Sequence, residues 1–371
     1  MNVPLLDLVA QYRTIKNDVL PAMQRVIEAQ QFIMGPEIAQ LEAAVAKLSA
    51  AKHGIACASG TDALLLPLKA LNLKAGDEII TTPFTFFATA GAIHNAGGTP
   101  VFVDIEPDTF NIDPAAVERA ITPRTRAILP VHLYGQMAAM ERLLATGLKH
   151  RLPVIEDAAQ AIGARRSVDG EWRMAGELGW VTGYSFFPSK NLGAWGDGGM
   201  MVTQDAALAD RLKRLRLHGG AKQYHHDEVG LNSRLDTLQA AVLLAKLSHL
   251  GAWSSKRREH AEYYSRALAG IGQVRVPVID RANEHIFHQY TLRVERRDEL
   301  QAHLKTKSIG CAVYYPVPLH LQPCFAHLGY KAGRFPVSEQ ASREVLSLPV
   351  YPELERAQLD YVVDAIRGFY T

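Results

Sequence analysis

Lys190 lies in the stretch SFFPSKNLGAWGDGG (185–199), where it is the only cation and Asp197 the only acid. Two phenylalanines precede it and four glycines follow. Read alone, this is a lysine on a turn with its ammonium in water. An amine held in a semi-apolar, tightly turned place has another use. Desolvation lowers a lysine pKa, and a neutral amine is a nucleophile able to form a Schiff base.

Three other stretches supply complementary chemistry. SGTDALLLPLKAL (59–71) has the form of a strand end followed by a helix start. Its free N–H groups and positive dipole end, with Gly60 allowing close approach and Ser59 and Thr61 adding hydroxyls, would cradle a phosphate. The Asp62 carboxylate would repel a phosphate, so only its N–H can help. PVIEDAAQAIGA (153–164) ends an apolar run on Glu156 and Asp157. Strand alternation puts these acids on opposite faces, so one of them can meet a cationic ligand atom. PFTFFATAGAI (83–93) offers Phe84, Phe86 and Phe87, as core or as a plate against a planar ligand. Singly, the first two stretches read as ordinary capped helices and the third as core. Together, a phosphate cradle, a carboxylate, an aromatic plate and a desolvated amine are what pyridoxal 5'-phosphate requires.

The elements that must position these groups follow from the pattern. Strand-like runs at 53–59, 78–82, 99–105, 126–132 and 153–157 are mostly separated by helical stretches. That alternation predicts a largely parallel sheet covered on both faces. Further strands are expected at 179–187 and 199–203, flanking the lysine loop. An N-terminal helix spans about 8–30, and Pro36 opens the next. Helices over 237–250 and beyond, then a strand at 288–294, suggest a smaller α+β domain. The expected division is 1–250 for the large domain and 251–371 for the small one.

The chain has 371 residues, 48% hydrophobic and 21% charged, with a net charge of +2. Such a balance gives no reason to expect nucleic acid or an acidic membrane surface as partner. Cys57, Cys311 and Cys324 are widely spaced, which argues against a disulfide framework or a metal site. There is no signal-peptide pattern at the N-terminus and no apolar run of transmembrane length. The expectation is a soluble cytoplasmic protein.

In order and spacing, SGTDAL, TFFATAGAI, VIEDAAQAIGA, SFFPSKNLGAWGDGGMMVT, LNSRLDTLQAA and YYPVPLH resemble the DegT/DnrJ/EryC1/StrS family of nucleotide-sugar aminotransferases over nearly the whole chain. The resemblance implies the aspartate-aminotransferase fold (fold type I), pyridoxal 5'-phosphate as cofactor, and a homodimer with shared active sites. It makes Lys190 the covalent lysine, Asp157 the partner of the pyridine nitrogen and Gln160 the neighbour of the phenolic oxygen. Phe86 becomes the stacking ring. Gly60, Thr61, the backbone of Asp62 and Ser185 bind phosphate, and Asn232 reaches it from the other subunit. Tyr315 and His320 line the sugar cleft, with Tyr314 where a histidine is common in the family. Arg234 holds a sugar carboxylate in the subgroup that aminates UDP-linked 2-acetamido-3-keto-glucuronate. The change at Tyr314 leaves a neutral dTDP- or UDP-linked 3-keto-hexose open. L-Glutamate is the implied amino donor. A pyridoxal-dependent sugar dehydratase, which has histidine in place of the lysine, and a non-catalytic regulator are the alternatives.

Overall fold

The computed structural model describes all residues except Ala221 and Gln223. Leu8–Ala29 (α1) and Pro36–Leu48 (α2) lead into the strands His53–Cys57 (β1), Glu78–Thr81 (β2), Thr99–Phe102 (β3), Thr125–Ile128 (β4) and Ile155–Asp157 (β5). Between these strands run Gly60–Ala70 (α3), Phe87–Asn95 (α4), Pro114–Ala120 (α5) and Met140–His150 (α6). Arg165–Val168 (β6) and Glu171–Met174 (β7) form a hairpin, followed by Val181–Ser185 (β8) and Gly199–Thr203 (β9).

The main sheet has the order β3-β2-β4-β5-β8-β9-β1. Hydrogen-bonded ladders link β3-β2-β4 on one side and β1-β9-β8-β5 on the other, and parallel bridges Ile128–Val154 and Val131–Asp157 join the two. Strand β9 runs antiparallel to both its neighbours, so a largely parallel sheet carries one reversed strand. The reversal has a local cause. The lysine loop joins β8 to β9 as a direct return, whereas a parallel neighbour would need a crossover connection.

After Ala206–Leu215 (α7), the helices Thr237–Leu247 (α8) and Leu250–Leu268 (α9) follow. The strands Val274–Arg275 (β10), Tyr290–Val294 (β12) and Val345–Leu348 (β13) form a second sheet, and Asn283–Glu284 (β11) pairs instead with β6. Arg297–Thr306 (α10), Pro336–Glu344 (α11) and Arg356–Tyr370 (α12) complete the order.

Two of the hydrophobic cores sit on different sheets. One packs around the main sheet through residues such as Ile80, Ile128, Phe186 and Met200. The other gathers Tyr264, Tyr290, Leu346 and Val362, and it draws in Val3 from the N-terminus. The first residues of the chain therefore pack with the second core. Among the described residues, no helix is long and apolar enough to cross a membrane.

Candidate active site

The site begins where β1 meets α3. Ser59 caps α3, its side chain accepting from the Asp62 N–H at 3.1 Å. That leaves Ser59 as a cap, with Gly60 and Thr61 at the start of the helix. A Cβ on Gly60 would lie 2.5 Å from Ser185 Cβ, so only glycine lets this turn meet the end of β8. The Asp62 carboxylate is turned aside and accepts the Ser233 hydroxyl at 2.7 Å. An acid can thus sit in an anion cradle without opposing the anion.

Glu156 and Asp157 do point to opposite sides. Glu156 is fully buried and accepts from His132 Nε2 at 2.7 Å, Gly179 N at 2.7 Å and Thr182 Oγ1 at 2.9 Å. The Ala138 N–H donates to His132 Nδ1 at 3.2 Å, so the proton on this ring sits on Nε2. Glu156 is therefore a structural acid that locks β5. Asp157 faces the other way, accepting from Thr89 Oγ1 at 2.8 Å and from the Ala159 N–H at 3.2 Å. Burial raises its pKa, and these two hydrogen bonds, followed by the Lys190 charge, act against the rise.

Lys190 is held by a closed loop. Its N–H donates to Phe187 O, and the Ala194 N–H donates to Phe186 O, both at 2.8 Å. A Cβ on Gly193 would meet Pro188 O at 2.3 Å, so the loop cannot close around a larger residue there. From α8, the buried Lys246 donates to Gly193 O at 2.5 Å. Burial lowers the Lys190 pKa to about 8, with Asp157 acting in the opposite sense. Near neutral pH a useful fraction of this amine is unprotonated.

Gln160 lies beside the acid, 8% exposed. Its Oε1 accepts from the Tyr134 N–H at 2.6 Å, and its Nε2 donates to the Tyr315 hydroxyl at 3.1 Å. This contact ties the main sheet to the YYPVPLH segment, where the Tyr314–Tyr315 peptide bond is cis. Tyr134 donates its hydroxyl to Tyr314 O. The three phenylalanines separate by role. Phe84 is in a core cluster and Phe87 stacks on Phe325 with centroids 5.7 Å apart. Phe86 is 58% exposed, with its ring 6.2 Å from that of Tyr315, which leaves it free to cover a planar ligand.

Two groups of expected residues lie elsewhere. Ser233 is fully buried against Asp62 and the Ala58 N–H. Alternation along this extended stretch turns Asn232 and Arg234 to the opposite face, away from their own chain's cradle. Asn232 is exposed and Arg234 half-buried. His320 differs from the expectation that it lines a cleft. It is 2% exposed, with Nε2 3.1 Å from Glu339 Oε1 and its ring edge-on to Phe335. A packed ring bound to a carboxylate from α11 is not free to touch a sugar.

Sequence reasoning did not name Thr89, Asn191, Lys246 or His288 among the candidate groups. Thr89 and Asn191 stood inside quoted motifs, and the place of Thr89 in the first turn of α4 was the available signal. Lys246 and His288 are identified only by contacts across long stretches of chain.

These features fit pyridoxal 5'-phosphate: an anion cradle closed by Gly60 and Ser185, a buried carboxylate, a lowered lysine and an open ring. Comparison with known proteins agrees. A model described as the DegT/DnrJ/EryC1/StrS aminotransferase family matches residues 13–367. A "Pleiotropic regulatory protein" of Geobacillus stearothermophilus is 53% identical, covering 100% of this chain and 99% of that one. A UDP-N-acetyl-3-dehydro-alpha-D-glucosamine 3-aminotransferase of Acidithiobacillus ferrooxidans is 45% identical, covering 98% and 97%. Among solved structures, S. venezuelae DesV in complex with a ketimine intermediate superposes with a TM-score of 0.96 at 43% identity, covering 100% of this chain and 98% of that one.

Proposed function

The chain belongs to the DegT/DnrJ/EryC1/StrS aminotransferase family, which uses pyridoxal 5'-phosphate; on that premise we propose that it moves the amine of L-glutamate onto a nucleotide-linked 3-keto sugar. The observation that carries this reading is the placement of Lys190, lowered to about 8, against the buried Asp157. When bound, the cofactor supplies an electron sink for the carbanion left when a Cα–H bond breaks.

The protein's own groups do the rest. The Asp157 carboxylate would hold a proton at the pyridine nitrogen. With the cofactor bound, the Lys190 amine would be placed to take a proton from the amino-bearing carbon of the donor and to return one in the reverse half-reaction. Gln160 would orient the phenolic oxygen, Phe86 would cover the ring, and Gly60, Thr61, Asp62 N–H and Ser185 would hold the phosphate. In a homodimer, the outward face of 232–234 supplies Asn232 to the partner's phosphate and Arg234 to its sugar. Tyr314 and Tyr315 border the sugar cleft, and His320 supports that wall through Glu339. We place the enzyme in the cytoplasm.

The name of the relative at 45% identity supports a 3-keto substrate. The name of the relative at 53% points to regulation. The retained Lys190 and Asp157 favour catalysis over a purely regulatory role, and the lysine also separates the chain from the histidine-bearing dehydratases. The test is transfer of 15N from labelled L-glutamate to UDP-linked 3-keto-N-acetylglucosamine, its uronate and a dTDP-linked 3-keto-hexose. Label in one amino-sugar product supports the reading, and no label in any of them removes it.

A further inference from the structure

Asn191, next to Lys190, is buried, 5% exposed. Its Nδ2 donates to Ile286 O at 3.2 Å, and its Oδ1 lies 3.1 Å from His288 Nδ1. A backbone carbonyl can only accept, so the first contact fixes which way the amide faces. The amide oxygen can only accept in turn, so His288 Nδ1 carries the proton. The neutral ring is the Nδ1–H tautomer.

His288 is itself 8% exposed. Burial is the main cause that lowers its pKa well below the ordinary value, followed by the charges of Lys190, Arg257 and His285. The segment around it is fixed from below. Arg257 Nη1 donates to Phe287 O at 3.2 Å and to His288 O at 3.3 Å. The Phe287 N–H donates to His285 Nδ1 at 2.9 Å.

We propose that His288 is a positioning residue for Lys190, holding the lysine loop through Asn191 with a donated Nδ1–H. The loop is then gripped on two sides, by His288 at Asn191 and by Lys246 at Gly193. With His288 neutral, Asp157 is the charge that opposes burial at the lysine. This inference rests on the reading of Lys190 as the covalent, proton-moving group.

The test uses His288→Leu, which removes the donor, and His288→Asn, whose Nδ2 occupies the place of Nδ1. The first readout needs no cofactor: the pH dependence of acetic anhydride labelling at Lys190 in cofactor-free protein, followed by mass spectrometry. The wild-type midpoint is expected at about 8. In His288→Leu the loosened amine reaches water and its midpoint rises by about one unit or more. The same variant loses about tenfold to a hundredfold in kcat with KM for the keto-sugar within about threefold. His288→Asn restores both the midpoint and most of kcat. If His288→Leu does not fold, Asn191→Leu cuts the same link from the other side and is read the same way. A folded His288→Leu or Asn191→Leu with wild-type midpoint and kcat overturns the proposal. Lys190→Ala is the separate control: turnover there would sink the reading of Lys190, whatever the His288 variants do.

Discussion

The Thr89 hydroxyl donates to Asp157 Oδ2 at 2.8 Å, in a place closed to solvent. Thr89 spends its proton on the carboxylate, so Thr85, 3.0 Å away, donates to Thr89 in turn. The two hydroxyls help keep a buried acid ionised where its surroundings favour the protonated form. Thr89→Val removes the bond at nearly constant volume. Loss of a hydrogen bond to a charged group costs about 1.5–3 kcal/mol, so cofactor affinity should fall by about tenfold or more. Thr89→Ser should restore it. Titration of cofactor-free protein with pyridoxal phosphate measures both.

The contact between Gly60 and Ser185 predicts a second loss. Gly60→Ala places a methyl group 2.5 Å from Ser185 Cβ, so the cradle must open or β8 must shift. Cofactor affinity should drop by about tenfold or more, the scale of one overpacked site. Adding Ser185→Gly should relieve the clash but leave binding weak, because the hydroxyl is gone. Wild-type affinity in Gly60→Ala would remove this turn from the phosphate site.

Acid should destabilise the protein through its buried histidines. Burial lowers the His285 pKa to about 3, and His288 is lowered as well. An unfolded histidine titrates near 6.5. Below that pH the unfolded chain binds protons that the folded chain refuses, so stability falls as pH falls towards about 3. Each group contributes a slope of up to about 1.4 kcal/mol per pH unit. His285→Asn keeps an acceptor for the Phe287 N–H and does not titrate. Its melting temperature should change less between pH 6.5 and 5 than that of the wild type. An equal change would show that His285 does not carry this dependence.

If Asn232 serves the partner's site, two inactive variants should complement each other. Mixed Lys190→Ala and Asn232→Ala subunits would form heterodimers with one intact and one doubly damaged site. With random exchange, roughly a quarter of all sites regain both residues, as two-fold symmetry requires. Activity in the mixture well above that of either variant is the expected outcome. A simple average of the two would place Asn232 in its own chain's site or in none.

Much of this arrangement was legible because its parts are local. Buried strands such as EIIT and GMMVT are apolar runs, and Asp157 and Ser185 sit at strand ends where the chain changes pattern. The hairpin β6–β7 went unread because RRSV and EWRM are polar and partly exposed, leaving only the Asp169–Gly170 turn as a sign. His320 shows the limit in another way. A histidine in YYPVPLH reads the same whether it lines a cleft or packs on Phe335 and Glu339. The grip on the lysine loop was invisible for a simpler reason. Asn191 and His288 are 97 positions apart, and their meeting depends on how the second core docks on the first.

Whether Lys190 is the covalent residue can be read by mass spectrometry of the protein after loading with pyridoxal phosphate and reduction with borohydride. One phosphopyridoxyl group per chain is expected, on the peptide containing Lys190 and absent from Lys190→Ala. Attachment to Lys246 or another lysine, or no attachment, would contradict the assignment of Lys190 as the centre of the site.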